Sequence, residues 1–381
     1  MAAAEGAACD DDLLARVAWS RLAEPGDLVA TALVAKLGPV EALRAVTLGS
    51  AGQLARFRTR LPGLDPGRDL AVATRCGATV LGPRDPLWPI GVEDLEAPPF
   101  CLYVRGAARL LGELRAGGIA VVGARASTAD GEATALDLAA GLAESGFLVV
   151  SGAAYGIDAA AHQGALAVGR PTVAVLAGGV ERAYPPRNAA LIARIAAEGA
   201  VVAEVPPGSA PTRTRFLQRN RLIATMTAGT VVVEAGLRSG SLNTARTAAD
   251  HLRPVGVVPG SVRSPTSAGC HQACRDGYAV LVTDVDEVLE LVGSYGRTVP
   301  RRRGPERPDD TLDPVCRAVL AALPFRRGLD VGALAVNAGV TVPEAMASVG
   351  RLETIGLAAR TDTGWRQVRA DSADHPPRRD R

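Results

Sequence analysis

Lysine is almost missing from this chain: the basic residues are arginine except for Lys36. Leu37 follows it, so no phosphate loop ending in GK[ST] exists, and lysine-based chemistry has almost no foothold. Glycine is plentiful, yet no two glycines stand as G-x-G, which argues against the ordinary dinucleotide fingerprint. The G-x-S-x-G elbow of a serine hydrolase is also absent. No uninterrupted apolar run reaches membrane-spanning length, so no membrane association is expected. The start, "MAAAEGAACDDD", is small and acidic, without the basic head and apolar centre of a secretory signal. Cys9, Cys76, Cys101, Cys270, Cys274 and Cys316 are scattered too widely for a disulfide framework and suit a reducing, cytoplasmic compartment. Cys270, His271 and Cys274 lie close together but fall short in ligand number and spacing for a metal site. No metal or other cofactor is therefore expected. Excess charge is missing too: the net charge is +2, so nucleic-acid contact must come from local patches.

What the chain does have is length and apolar content. Its 381 residues are 48% hydrophobic, enough for two or three domains and a large core. Residues 1–75 read as a small domain of short amphipathic helices broken at "EPGD", "LGPVEAL" and "LPGLDPGRD". Within it, Leu37-Gly38-Pro39-Val40 has the look of a helix-hairpin-helix turn, although an ordinary helix connection explains it as well. Residues 76–295 carry a different rhythm, clearest from about 115. "IAVVG", "FLVVS", "TVAVLAG", "AVVAEV", "TVVVEAG" and "PVGVVPG" alternate with alanine-rich helical stretches. Unbroken apolar strands separated by helices predict a parallel sheet covered on both faces. Residues 296–310, rich in proline and arginine, read as a linker. Residues 311–369 read as three short helices and a hairpin, a winged-helix pattern, and 370–381 as a disordered tail.

Ligands of open α/β sheets bind outside the carboxyl ends of the strands, and the segments there are distinctive. They read "VVGARAST", "SGAAYGIDAAAH", "LAGGVERAYPPRN", "FLQRNRLIA" and "EAGLRSGSLNTA". Small residues, among them Gly123, Ser151, Gly152, Ser239, Gly240 and Ser241, gather where strands meet helices and would let an anion approach helix N-termini. Arg125, Arg187, Arg219, Arg221 and Arg238 recur at the same edge. A row of arginines suits an extended polyanion, because guanidinium groups grip phosphates bidentately. The stretch "TRTRFLQRNRLIA" concentrates this signal: Arg213, Arg215, Arg219 and Arg221 surround Phe216 and Asn220. An aromatic ring in a basic groove is the chemistry of single-strand binding, and the stretch is read as a platform for a nucleic-acid strand at a helix start. Asp158, Glu204 and Glu234 sit near three strand ends without paired metal-ligand spacing and are read as helix caps and arginine partners. Ser151, Ser239, Ser241, His162 and His251 are the residues a hydrolase would need, and His162 reads as a structural histidine on an apolar helix face.

Taken together these segments resemble the DNA-processing protein A family (DprA, also called Smf). The matching residues are "VGAR" (122–125), "SGAAYGIDAAAH" (151–162), "YPPRN" (184–188), "FLQRNRLIA" (216–224), "VVVEAGLRSGSLNTA" (231–245) and "VPG" (258–260). The resemblance covers roughly residues 80–290. It implies an extended Rossmann-like parallel sheet domain that binds single-stranded DNA, with a small N-terminal helical domain and a C-terminal winged helix. It also implies a non-enzymatic mediator that protects incoming DNA during uptake and transformation in competent cells, works as a homodimer, and loads the recombinase RecA. By the same resemblance, Arg125 matches a phosphate-contacting arginine, and Phe216, Arg219, Asn220 and Arg221 match a DNA-pocket motif. "CHQAC" (270–274) and Asn243 depart from the family's pattern. The competing class is an enzyme, a nucleotide hydrolase of the lysine-decarboxylase-like (LOG) type, whose sheet is similar around "GTVVVEAG". Its glycine cluster ahead of the acid has no counterpart before Glu234. The candidate recognition helix of the winged helix, "VPEAMASVGRLETIG", is slightly acidic, so this segment is expected to serve protein contacts.

Overall fold

The computed structural model describes residues 2–49, 54–293 and 312–368. The chain divides into two compact units, Met1–Val299 and Pro300–Arg381. The linker expected at 296–310 and the tail expected at 370–381 lie outside the described residues.

The first unit opens with helices α1 (Ala2–Leu22), α2 (Leu28–Leu37), α3 (Pro39–Leu48), α4 (Ala55–Arg58) and α5 (Pro66–Arg75). Trp19 anchors them: its ring is fully buried among Leu22, Ala30, Val34, Ala42 and Phe57, and its indole N–H donates to the Pro39 carbonyl at 3.0 Å. The suspected helix-hairpin-helix turn is a single residue, Gly38, at φ +78°, a conformation open to glycine. Residues 1–75, expected as a small helical domain, lie in one compact unit with the sheet. The physical reason is polar as well as apolar docking. Ser20 hydrogen-bonds the buried Tyr103 hydroxyl, and Arg215, far along the chain, pairs with Glu24 at 2.9 Å.

The sheet strands are β1 (Ala78–Leu81), β2 (Leu102–Gly106), β3 (Gly118–Val122), β4 (Leu148–Ser151), β5 (Thr172–Leu176), β6 (Ala200–Ala203), β7 (Gly229–Val232), β8 (Val255–Val257) and β9 (Val280–Leu281). Their spatial order is β1-β2-β6-β5-β4-β3-β7-β8-β9. From β6 to β9 all neighbours pair parallel, whereas β2 runs antiparallel to both β1 and β6. The intervening helices are α6 (Leu114–Gly117), α7 (Ala129–Glu144), α8 (Ile157–Ala167), α9 (Ala189–Glu198), α10 (Arg213–Met226), α11 (Gly240–Asp250), α12 (Ala268–Arg275) and α13 (Val285–Val292). Alternation along β3 shows why both faces are covered. Ile119 and Val121 point into a core with α7, α8 and α13, while Ala120 and Val122 point into a second core with α10, α11 and α12.

The chain builds outward from β3 through β4, β5 and β6, then returns to β7 on the other side of β3. The reversal between β3 and β7 is a topological switch point, where the loops above adjacent strands diverge and leave a crevice. The architecture is therefore α/β with a large, mostly parallel sheet.

In the second unit, α14 (Pro314–Ala322), α15 (Val331–Ala338) and α16 (Val342–Thr354) precede a hairpin of β10 (Ala358–Thr361) and β11 (Gly364–Gln367). Leu320, Leu334, Val349 and Leu352 form its core, with Trp365 packed against it. The Glu344 carboxylate closes a capping box with Thr341, so one of the two acids of α16 is spent on its own N-terminus.

Candidate nucleic-acid interface

The crevice at the switch point is a cleft of about 870 Å³. Its walls come from the β3–α7 loop (Gly123 to Ala126), the first turns of α10 (Arg213, Phe216, Leu217), the β7–α11 segment (Gly236 to Ser241), and Tyr184 from the loop after β5. Of the expected residues, it gathers Gly123, Arg125, Phe216, Arg219, Asn220, Ser239, Gly240 and Ser241. Ser151, Gly152, Arg187 and Arg221 do not line it.

Three cations face solvent here: Arg125, Arg213 and Arg238 are exposed and, among the described residues, have no carboxylate partner. Helix α11 ends on the cleft with Ser239 as its N-cap and no acid in its first turn. The positive end of that helix dipole is thus left uncompensated, a ready position for an anion. Gly240 has open space where a side chain would stand, so a ligand has access to its backbone. Phe216 lies half-buried on α10, with the Arg125 Cζ 4.6 Å above its ring centroid and the Tyr184 ring 5.7 Å away at 52°.

The arginines of "TRTRFLQRNRLIA" are not one platform, and that expectation is corrected. Arg213 alone of the four is both exposed and unpaired. Arg215 ties α10 to Glu24 and to the Ala210 carbonyl at 2.9 Å. Arg221 points to the other side, donating to the Ala97 carbonyl at 2.8 Å and pairing with the buried Glu204. Arg219 is 6% exposed and donates to the Gly152 carbonyl at 2.8 Å and to the Val175 carbonyl. The cause is the ends of β4 and β5. Buried carbonyls must be satisfied, and from α10 the Arg219 guanidinium serves those of Gly152, just past β4, and Val175, near the end of β5. Burial draws the Arg219 pKa down to about 10 despite the attraction of Asp158, so it stays charged at neutral pH.

Two small residues serve the same packing. A Cβ on Gly152 would collide with the Arg219 guanidinium, and one on Gly123 would meet Ile157. Ser151 is fully buried, its hydroxyl donating to the Val121 carbonyl at 2.7 Å. Gly152 and Ser151 were expected to face a ligand and do not line the cleft, and Arg187, though exposed, stands outside it too.

The carboxylates are committed as caps and partners. Asp158 accepts from the Gly152 and Ala154 amides beneath the cleft, and burial raises its pKa. Glu234 accepts from the Thr128 amide at 2.9 Å, the Thr128 hydroxyl at 2.7 Å and the Thr266 hydroxyl at 3.1 Å. His162 is fully buried. Thr172 donates its hydroxyl proton to the Val149 carbonyl, so the His162 Nδ1 must donate to Thr172 Oγ1, at 2.8 Å. Burial first, and then Arg219, lowers the His162 pKa to about 3, leaving it a neutral structural residue. His251 caps the far end of α11, roughly 18 Å along the helix from Ser239 at the standard rise per residue. Around "CHQAC", Cys270 is buried and His271 bonds the Gly260 carbonyl, and no group of three potential metal ligands occurs among the described residues. No described helix is long and apolar enough to cross a membrane.

A sequence model of the family described as DNA recombination-mediator protein A matches residues 79–293, the whole sheet and every wall of the cleft. The chain belongs to this family. A putative DNA processing protein DprA of Mycobacterium tuberculosis is 43% identical over 369 residues, covering 93% of this chain and 94% of that protein. Protein Smf of Escherichia coli is 36% identical over 281 residues, 71% of this chain and 72% of its own. Among solved structures, DprA of Streptococcus pneumoniae superimposes with a TM-score of 0.62 at 30% identity, covering 72% of this chain and 95% of that one. DprA of Helicobacter pylori, solved to explain its single-stranded DNA binding mode, gives 0.51 at 27% identity, covering 56% and 94%. The DprA resemblance carried by the loop motifs is thus established, and with it a role in DNA processing.

Tyr184 is a wall of the cleft that the sequence did not single out. The signal for Tyr184 was present, since "YPPRN" follows a strand end, but no local pattern says that this loop folds back against α10.

Proposed function

We propose that this protein binds single-stranded DNA in the cleft between β3 and β7, without turning it over, and serves as a recombination mediator. The observation that carries the reading is the pairing of three unpartnered arginines and an open helix N-terminus with two aromatic rings in one crevice. Arginines hold phosphates, rings take bases, and neither reads a base edge, so binding is independent of sequence. The family, and the single-strand binding named for its Helicobacter pylori member, support the same reading. The wider role is protection of incoming strands during DNA uptake and their delivery to RecA by a homodimer in the cytoplasm. In the second unit, a winged helix in this reading, the acidic charge of α16 favours protein contacts over DNA.

The hydrolase reading finds less support. Asp158, which lines the cleft, already accepts from two backbone amides, Glu234 is held by Thr128 and Thr266, His162 is buried and neutral, and among the described residues no histidine lines the cleft beside Ser239 or Ser241. Titration of single- against double-stranded oligonucleotides at several salt concentrations tests the proposal. Single strands should bind more tightly, with an affinity that falls steeply with salt as counterions are released. Affinity flat from low to moderate salt, or release of free base from nucleoside monophosphates, overturns it.

A further inference from the structure

Phe216 is the ring that the sequence singles out for stacking, but its surroundings are already taken. Arg125 covers one face, Tyr184 meets the ring at 5.7 Å, and the side chain is half-buried against α10. A base sandwiched between two rings needs their centroids about 7 Å apart, twice a carbon–carbon contact, so none fits between Phe216 and Tyr184 as they stand. Tyr184, in contrast, lines the same cleft and is 42% exposed, while Trp19, Phe57, Trp88 and Tyr103 are buried. Its loop is also held. The Asn188 amide donates to the Ala153 and Ala154 carbonyls at 3.0 and 3.1 Å, fastening the loop to the end of β4. Pro185 and Pro186 further restrict its backbone. A ring fixed before the ligand arrives loses little freedom on binding.

We propose that Tyr184 is the base-stacking surface of the cleft, with Phe216 as the buttress behind it and Arg125 held over Phe216, free of any carboxylate, within reach of the neighbouring phosphate. This rests on the reading of the cleft as a single-strand site. Stacking and phosphate contact separate experimentally, because losing a stacking ring lowers affinity without changing counterion release.

The test is equilibrium binding of the full chain to a thymidine oligonucleotide carrying one 2-aminopurine, at several salt concentrations. Tyr184→Ala should weaken binding roughly tenfold, leave the slope of log affinity against log salt unchanged, and reduce the quenching of 2-aminopurine on binding. Tyr184→Phe should keep affinity within about twofold, since its ring is intact. Arg125→Ala should flatten the salt slope by about one unit. If Tyr184→Ala binds like the parent while Phe216→Ala and Arg125→Ala fail, the cleft still binds DNA but Tyr184 is not its stacking surface. A Tyr184→Phe protein as weak as Tyr184→Ala assigns the effect to the hydroxyl and equally overturns the inference. If all three alanine variants bind like the parent, the cleft reading falls and this inference with it.

Discussion

Replacing Arg219 by methionine keeps the apolar stem and removes the guanidinium. The Gly152 and Val175 carbonyls then lose their donor, and the buried Asp158 carboxylate loses a neighbouring positive charge. A buried polar group left unsatisfied costs about 1–3 kcal/mol, and breaking a buried charge pair from one side costs about 3–5 kcal/mol. Asp158 retains two backbone amides and can take up a proton, which removes much of its share and leaves a total of about 3–5 kcal/mol, well below the sum of the separate costs. For a unit of this size that corresponds to a fall of about 5–15 °C in melting temperature. Because burial already opposes the charge on Arg219, replacing Asp158 by asparagine in the same protein should recover part of the loss. The assay is thermal and urea unfolding of the parent, Arg219→Met and the double variant, with DNA affinity measured on folded protein. A melting temperature within about 2 °C of the parent, together with lost DNA binding, would refute the reasoning. It would place the guanidinium in solvent as a direct phosphate ligand.

Arg221→Ala should destabilise the fold by about 3–5 kcal/mol, because it strands the buried Glu204, while the folded fraction binds DNA as the parent does. The check is unfolding alongside binding. Glu24 pairs with Arg215 and Arg60; these contacts outweigh its burial and hold its carboxyl below the ordinary value of 4.5. Their contribution is present at neutral pH and is lost as the pH falls below about 4.5. Its side chain is 44% exposed, so Glu24→Gln should cost at most about 1 kcal/mol and should lessen the acid sensitivity of the melting temperature. Truncation after Gly293 should leave single-strand affinity within a few-fold of the full chain. A folded truncation that no longer binds would move the contact to the second unit or to the segment before it.

The parallel half of the sheet was legible because a strand covered on both faces must be apolar throughout. Each of the runs "IAVVG", "FLVVS", "TVAVLAG", "AVVAEV", "TVVVEAG" and "PVGVVPG" contains a strand, β3 to β8. The strands β1 and β2 at one end of the sheet and β9 at the other were not read. β9 has two residues, and no local pattern announces that "LYVRG" will run antiparallel beside β6. The loops of the cleft were legible as chemistry, since arginine, serine and glycine at strand ends imply an anion. The fate of each arginine was not, because the partners of Arg215 and Arg221 are set by tertiary packing. One clue was available. Arg219, Leu222, Ile223 and Met226 repeat at the spacing of a buried helix face, and a cation in that register is more often a structural partner than a surface ligand.

The central claim is that single-stranded DNA lies in the cleft between β3 and β7. Amide hydrogen exchange of the full chain, with and without a saturating thymidine oligonucleotide, tests it most directly. Slowed exchange is expected in 123–128, 184–188, 212–220 and 236–244, with 314–354 unchanged. Protection confined to the helices of 28–48 or to 314–367, with the cleft segments exchanging as in the free protein, would contradict it.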